Sequence, residues 1–194
     1  TFRRNFPDVG LRLEEVLITA DSPERFVMTG GVTSWHDLAL YLINRYVGVT
    51  AAQSMARLML LHWHPEGQAP YIGFLPARDH GDSIVSDLQR WIEANLSTVN
   101  PIDEMTRRSG LSMRSLERRF MKATGHSPIT YVQNLRIEAA KRRLERTTEP
   151  IEEISYGIGY DNPAFFRRLF KRRTRMTPGQ YRRRFLAPAV PKAR

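Results

Sequence analysis

Two short stretches of this chain carry arginine at matching places. In GLSMRSLERRFMKATGHSPITY, Gly110 to Tyr131, the residues beside the apolar positions Leu116 and Phe120 are Arg114, Ser115, Glu117, Arg118 and Arg119. In GYDNPAFFRRLFKRRTRMTPGQY, Gly159 to Tyr181, Phe166 and Phe170 take the apolar positions, and Ala164, Arg167, Arg168 and Lys171 to Arg173 make the polar face. A guanidinium is a planar fork of donors suited to phosphate oxygens and to the guanine edge, and a carboxylate such as that of Glu117 accepts from cytosine N4. A single charged run is usually only a solvated helix face. Two runs at equivalent positions of equivalent motifs point instead to a polyanionic partner, and the layout of the motifs points to DNA.

The equivalence is an internal repeat. After the turn the matched pairs keep an offset of 50 residues, as in Ser112 with Asn162, Arg118 with Arg168, Pro128 with Pro178 and Tyr131 with Tyr181. Before the turn the offset is 49, as in Ile102 with Ile151 and Gly110 with Gly159, so the second copy has one extra turn residue. Each copy reads as helix, tight turn, helix. In the first, Ile102, Met105 and Leu111 give an apolar face, Ser109 and Gly110 the turn, and Ser112 an N-cap. In the second, Ile151 and Ile154 open the short helix, Gly157 and Gly159 flank the turn, Asn162 caps, and Pro163 takes the first helical position, where no N–H is needed. Between the copies, Ile129 to Arg146 reads as one long helix with Ile137, Ala140 and Leu144 along its inner seam, and Ser83 to Leu96 as another with Ile84, Leu88, Trp91 and Ile92 facing inward.

Charge follows the same division. Residues 1–80 carry 7 basic and 8 acidic side chains and residues 81–194 carry 23 and 12, with 19 of the 23 arginine; the whole chain stands at +10. Such asymmetry favours nucleic acid or an anionic membrane surface. No run approaches the roughly 20 apolar residues of a membrane span, and the basic helices break for glycine turns, which disfavours the membrane. The absence of cysteine excludes disulfides, thiolate metal sites and a cysteine nucleophile within this chain. The opening TFRRNFPDVG has no signal-peptide pattern and no initiator Met, so the chain reads as a fragment or processed product, expected in the cytoplasm and associated with the nucleoid.

The first 80 residues read differently. Leu13 to Ala20 and Arg25 to Thr29 are expected as short strands joined by a turn at Asp21 to Glu24, followed by a turn at Gly30 and Gly31. Thr33 to Tyr46 is expected as a helix buried through Leu38, Leu42, Ile43 and Tyr46, and Thr50 to Trp63 as another buried through Met55, Leu58, Met59 and Leu61. His64 to Gly81 is rich in proline and glycine and reads as a linker, and the tail from Ala187 as disordered. His62 and His64, two apart, point away from each other if helical and have no local third ligand, so neither they nor any other residue is expected to hold a metal or cofactor. Ser34, His36 and Asp37 are close in sequence, but a triad is a matter of geometry; Ser34 is expected as an N-cap. Phe165, Phe166 and the tyrosines are expected in the core, and Arg136 with Glu138 as a buried pair tying the long helix to a neighbour.

From about Ser83 to Phe185 the chain resembles the DNA-binding domain of the AraC family of bacterial transcription regulators. The resemblance rests on IGYDNPAFFRRLFKRRTRMTPGQYRRRF, through Ile154, Gly159, Tyr160, Phe166, Arg168, Phe170, Lys171, Thr177-Pro178 and Tyr181-Arg182. Two departures stand out. Arg175 replaces a glycine usual before the Thr-Pro pair, which the first copy keeps as Gly125, and Arg167 replaces a small polar residue usual before the arginine of the second reading helix. The resemblance implies a double-stranded DNA partner, with two recognition helices in successive major-groove segments. It assigns Arg114, Glu117 and Arg118, and then Ala164, Arg167 and Arg168, to base edges. Ser112 and Ser115 then lie nearer phosphates, and Lys122, Lys171 and Arg172 on the DNA backbone. Arg118 and Arg168 have a structural alternative in pairing with a nearby acid.

Residues 1 to about 71 are similar, more loosely, to the C-terminal part of a PfpI-like, amidotransferase-related α/β domain, through FPDV, EVLITA, Thr29-Gly30-Gly31, Asp37 to Leu40 and Gly67-Gln68. The implied fold is mostly α: a seven-helix double helix-turn-helix domain over residues 83–186, preceded by a partial α/β sensor or dimerisation domain (1–71) and a linker (72–82). The implied function is a non-enzymatic, sequence-specific transcription regulator. A small-molecule effector, contact with RNA polymerase and a homodimer stay open. Two competing classes are an amidotransferase-like enzyme with a DNA-binding appendage and a nonspecific basic nucleic-acid-binding protein.

Overall fold

The computed structural model describes residues 5–20 and 25–187, and the chain divides into two compact units, Thr1–Ile72 and Gly73–Arg194. The turn expected at Asp21 to Glu24, and the expected tail beyond Ala187, lie outside the described residues.

In the first unit, β1 (Leu17–Ala20) and β2 (Phe26–Thr29) pair antiparallel, with Leu17 opposite Thr29 and Ala20 opposite Phe26. Two helices follow, α1 (Trp35–Tyr46) and α2 (Val49–Leu58), packed on each other across the break at Gly48. Their covered faces differ from the expected ones. In α1 the buried residues are His36, Asp37 and Leu40, while Leu42 and Tyr46 are exposed; in α2 they are Ala52 and Ala56, while Met55 and Leu58 are exposed. The small alanines let the helix axes approach, so the seam falls on them and not on the adjacent stripe of larger side chains. The second helix also stops short of Trp63, because Leu60 adopts a left-handed φ of 54°. Ser34 stands at the start of α1 but makes no capping bond; its hydroxyl donates to the Gly30 carbonyl instead.

The second unit contains seven helices among the described residues: α3 (Ser83–Ala94), α4 (Pro101–Ser109), α5 (Met113–Thr124), α6 (Pro128–Arg146), α7 (Ile151–Gly157), α8 (Pro163–Thr174) and α9 (Pro178–Phe185). They enclose two cores. Val85, Leu88, Ile92, Met105, Leu116, Phe120, Tyr131 and Val132 form the first; Ile137, Ala140, Leu144, Ile154, Ile158, Tyr160, Phe166, Leu169, Phe170, Met176 and Tyr181 form the second. The long helix α6 serves both, giving Tyr131 and Val132 to one and Ile137, Ala140 and Leu144 to the other. Residues 74–82, expected as linker, wrap onto α3. Phe74 meets Tyr131 edge-on at 5.3 Å, Gln89 Nε2 donates to the Ala77 carbonyl at 2.9 Å, and Arg78 pairs with Glu93 at 2.8 Å.

The repeat reappears as geometry. Phe120 meets Tyr131 at 5.1 Å and 74°, and Phe170 meets Tyr181 at 5.3 Å and 86°. Thr124 and Thr174 each donate to the carbonyl four residues back and accept from the N–H two residues on. Ser127 and Thr177 cap α6 and α9, each ahead of a first-turn proline. The copies part at one helix end. Gly125 closes α5 at φ 73°, and Arg175 closes α8 at φ 59°, a conformation that costs a side-chain-bearing residue about 1 kcal/mol or more.

Arg136 joins the two halves. Its side chain leaves the middle of α6, buried, and donates from Nε to the Leu96 carbonyl at 2.9 Å and from a terminal nitrogen to the Thr98 carbonyl at 2.5 Å. Its other face lies 4.9 Å from the Tyr160 ring centroid, at the turn of the second motif. Gly159, at φ 87°, is needed there, since a Cβ would lie 2.5 Å from the guanidinium and 2.8 Å from the Leu96 carbonyl. The expected partner Glu138 instead pairs with Lys141 at 3.0 Å. A guanidinium suits this place because its fork reaches two carbonyls and its plane still stacks.

Two outcomes follow for urea denaturation. Arg136→Met removes the donors to two carbonyls and is expected to cost about 2–4 kcal/mol, with Arg136→Lys recovering less than half. Arg175→Gly relieves the left-handed strain and is expected to gain about 0.5–1 kcal/mol after the entropy of the added glycine is charged against it.

Candidate nucleic-acid interface

Helices α5 and α8 are built alike from their caps outward. Ser112 accepts from the Ser115 N–H at 3.3 Å and Asn162 from the Phe165 N–H at 3.0 Å, each ending a tight turn and starting a helix at a set angle. Leu116 and Phe120 in α5, and Phe166, Leu169 and Phe170 in α8, are buried. Their insertion fixes how each helix is rolled, and so which side chains look outward.

The outward face carries the expected residues. Ser112, Arg114, Glu117, Arg118 and Lys122 on α5 and its cap are exposed, as are Ala164, Arg167, Arg168, Lys171 and Arg172 on α8. Among the described residues, Arg114, Arg118 and Arg168 have no acidic partner, so the structural alternative of local pairing is not taken up. Three residues depart from the simple picture. Arg167 forms an ion pair with Glu152 of α7, both side chains about half exposed. Ser115 is partly covered, and its hydroxyl accepts from Ser112 Oγ at 3.1 Å. Arg119 turns back, and its Nε donates to Asp82 Oδ2 at 2.6 Å. That bond is the main cause holding the Asp82 carboxyl below its ordinary range. Asp82 also caps α3 by accepting from Val85 N–H at 3.1 Å, so Arg119 locks the first motif to the helix before it.

Phe165 is a correction. Expected in the core, it is 39% exposed, one turn before the buried Leu169 and beside Ala164 and Arg168, with its ring 5.7 Å from that of Tyr160. The repeat carries the signal, because Phe165 stands opposite Ser115, an outer-face residue of the first copy. Where the first helix offers a hydroxyl, the second offers an apolar ring of the kind that packs on a thymine methyl. Phe166, Tyr131, Tyr160 and Tyr181 are buried as expected, whereas Tyr46, Tyr71 and Tyr156, also expected in the core, are exposed. In the turn between α5 and α6, burial and then the charge of Arg173 push the His126 imidazole below its ordinary value, and its ring stands edge-on to Phe74 at 5.4 Å.

The arrangement offers two N-capped helices of similar roll, each presenting arginines to solvent, joined through a 19-residue helix. A helix of that length spans about 28 Å at 1.5 Å per residue.

Comparison with known proteins agrees with this geometry. Residues 105–184 match the family described as a helix-turn-helix domain. Regulatory protein SoxS of Escherichia coli K12 is 33% identical over 101 residues, covering 52% of this chain and 94% of SoxS. The right origin-binding protein of the same organism is 32% identical over 100 residues, covering 52% of this chain but only 35% of that protein. The chain therefore spans about a third of the length of that longer relative. Among solved structures, the C-terminal domain of AraT, a response regulator from Geobacillus stearothermophilus, superposes with a TM-score of 0.55 at 26% identity, over 58% of this chain and 94% of that one. These three proteins each match a stretch about the size of the double motif, 52–58% of this chain. Matched to SoxS over nearly its whole length, the chain belongs to the AraC family of helix-turn-helix transcriptional regulators.

Proposed function

We propose that this chain is a sequence-specific double-stranded-DNA-binding transcription regulator that sets its two recognition helices into successive major-groove segments on one face of the duplex. The observation that carries this is the display of arginines without an acidic partner among the described residues, Arg118 and Arg168 at matched positions of the repeat with Arg114 beside the first, on a unit whose two halves are joined by the buried Arg136 guanidinium. Arg114, Glu117 and Arg118 read bases from α5, and Ala164, Phe165 and Arg168 from α8, with Arg167 joining when DNA draws it from Glu152. Ser112, Lys122, Lys171 and Arg172 hold the phosphate backbone, and Ser115 supports Ser112. The long helix of about 28 Å, with the motif bodies at either end, approaches the roughly 34 Å of one duplex turn.

We infer further that residues 1–71 are the C-terminal part of a PfpI-like α/β domain with a sensing or dimerising role, joined through residues 72–82 to the DNA-reading domain at 83–186. What supports this is that two separated segments of the resemblance meet. The Gly30-Gly31 turn packs against the Gln68 side chain, which donates to the Glu15 carbonyl at 3.1 Å. Such a regulator works in the cytoplasm on the nucleoid, takes its signal from an effector at the first unit, and answers through RNA polymerase. Among the described residues no helix is long and apolar enough to cross a membrane.

Selection of this chain on a randomised duplex library at two salt concentrations tests the reading. The expected result is two short enriched blocks about 10 base pairs apart. On the selected duplex, Arg118→Ala and Arg168→Ala are each expected to lose about 1–3 kcal/mol and to relax preference at one position, whereas Lys122→Ala weakens all sequences alike. Arg167→Ala is expected to cost less than Arg168→Ala, since Glu152 competes for that side chain. Binding without enrichment, fading steeply with salt, would leave a nonspecific phosphate binder.

A further inference from the structure

The first unit holds a cluster that sequence spacing does not reveal. His36 and Asp37 lie in the first turn of α1, and His64 follows α2, 27 residues beyond Asp37. The fold brings the three together, while His62, nearest to His64 among the histidines in sequence, stays exposed and apart. His64 Nδ1 lies 2.9 Å from Asp37 Oδ2, and His36 Nε2 lies 3.5 Å from the same oxygen. One ligating atom from each residue falls within 4.8 Å of the other two. We propose that His36, Asp37 and His64 form a binding site for one divalent transition-metal ion of the zinc class.

Geometry and chemistry support the assignment. Around an ion with bonds of 2.0–2.1 Å, tetrahedral ligands stand about 3.4 Å apart. Two of the three separations, 2.9 and 3.5 Å, lie on either side of that edge, and all three ligand atoms lie within 4.8 Å of one another, so a small rearrangement of the two imidazoles admits the ion. The side chains of His36, Asp37 and His64 are only 11%, 9% and 18% exposed. A carboxylate so sheltered from water is stabilised by a cation held against it. His36 Nε2, meanwhile, stands beyond ordinary hydrogen-bond length. Two nitrogens and one oxygen, without thiolate, suit zinc, cobalt or nickel over magnesium or calcium. Three protein ligands leave a fourth position for water or for a donor atom of a small ligand.

The ligands are also held from behind, as metal sites require. The His64 N–H donates to Asp37 Oδ1 at 3.3 Å, and its carbonyl accepts from Gly67 N–H at 3.0 Å. The loop is pinned to the residues before β1, with Gln68 N–H donating to the Glu14 carbonyl at 2.8 Å. The Trp35 and Tyr71 rings stand edge-on at 5.9 Å from His36 and 6.0 Å from His64.

The test titrates tag-free, chelator-stripped full chain with Zn²⁺ against a chromophoric competitor, and with Co²⁺ while the visible spectrum is followed. One equivalent per chain is expected, with the absorption of a four- or five-coordinate cobalt ion. His36→Ala, Asp37→Asn and His64→Ala should each weaken binding at least about tenfold, and His62→Ala, His80→Ala and His126→Ala should not. Should a ligand variant misfold by circular dichroism, diethyl pyrocarbonate footprinting of the wild-type chain decides: Zn²⁺ is expected to protect His36 and His64 and leave His62 reactive. Absence of stoichiometric uptake, uptake unchanged in well-folded ligand variants, or protection elsewhere would overturn the site and leave Asp37 and His64 as a structural hydrogen-bonded pair.

Discussion

A single guanidinium sets the geometry on which the DNA-reading unit depends. The second unit has two cores, one for each helix-turn-helix, and among the described residues they share only the helix α6. A helix shared in this way fixes the distance between the motifs but leaves their relative roll to whatever crosses the gap. Arg136 crosses it, joining Leu96 and Thr98 on one side to Gly159 and Tyr160 on the other. Burial disfavours its charge, pushing its pKa below the ordinary arginine value, with the Tyr160 hydroxyl and then Asp161 opposing that push. An arginine so placed stays charged even when desolvated, whereas a lysine would be tempted to neutralise.

The repeat made most of this unit legible in advance. Caps at Ser112 and Asn162, prolines at 128, 163 and 178, and apolar positions at spacings of four fix helix starts and faces through local chemistry alone. The outer-face residues followed from those faces. The aromatic type of Phe165 argues for burial, but its position in the repeat, opposite Ser115, places it outward. Burial of Arg136 is legible in the sequence, but its partners are backbone carbonyls and a ring, and carbonyls leave no mark in a sequence. The Arg167–Glu152 and Arg119–Asp82 pairs were equally hidden, since the latter joins residues 37 apart.

The first unit was less legible for a physical reason. Hydrophobic periodicity tells that a helix has an apolar stripe, not which of two adjacent stripes meets a neighbour. Close packing through Ala52 and Ala56 selected the smaller one and left Met55 and Leu58 in solvent. The His36, Asp37 and His64 cluster was invisible for the same reason, being a product of how α1 meets the segment after α2. The two units differ in charge, one strongly basic and facing outward through arginine, the other near neutral, with His36 and Asp37 buried among its ionisable side chains.

The central claim is that the two reading helices act as one rigid pair. Affinity for a series of duplexes in which one to five base pairs are inserted between the two recognised blocks tests it most directly, with wild type and Arg136→Met side by side. Each inserted pair displaces the second block by about 3.4 Å and rotates it by about 34°. The account predicts a steep loss for wild type with the first two insertions and a flatter series, from a weaker start, for the variant. Equal affinity of the wild-type chain across the series would contradict it, because the motifs would then be reading DNA independently.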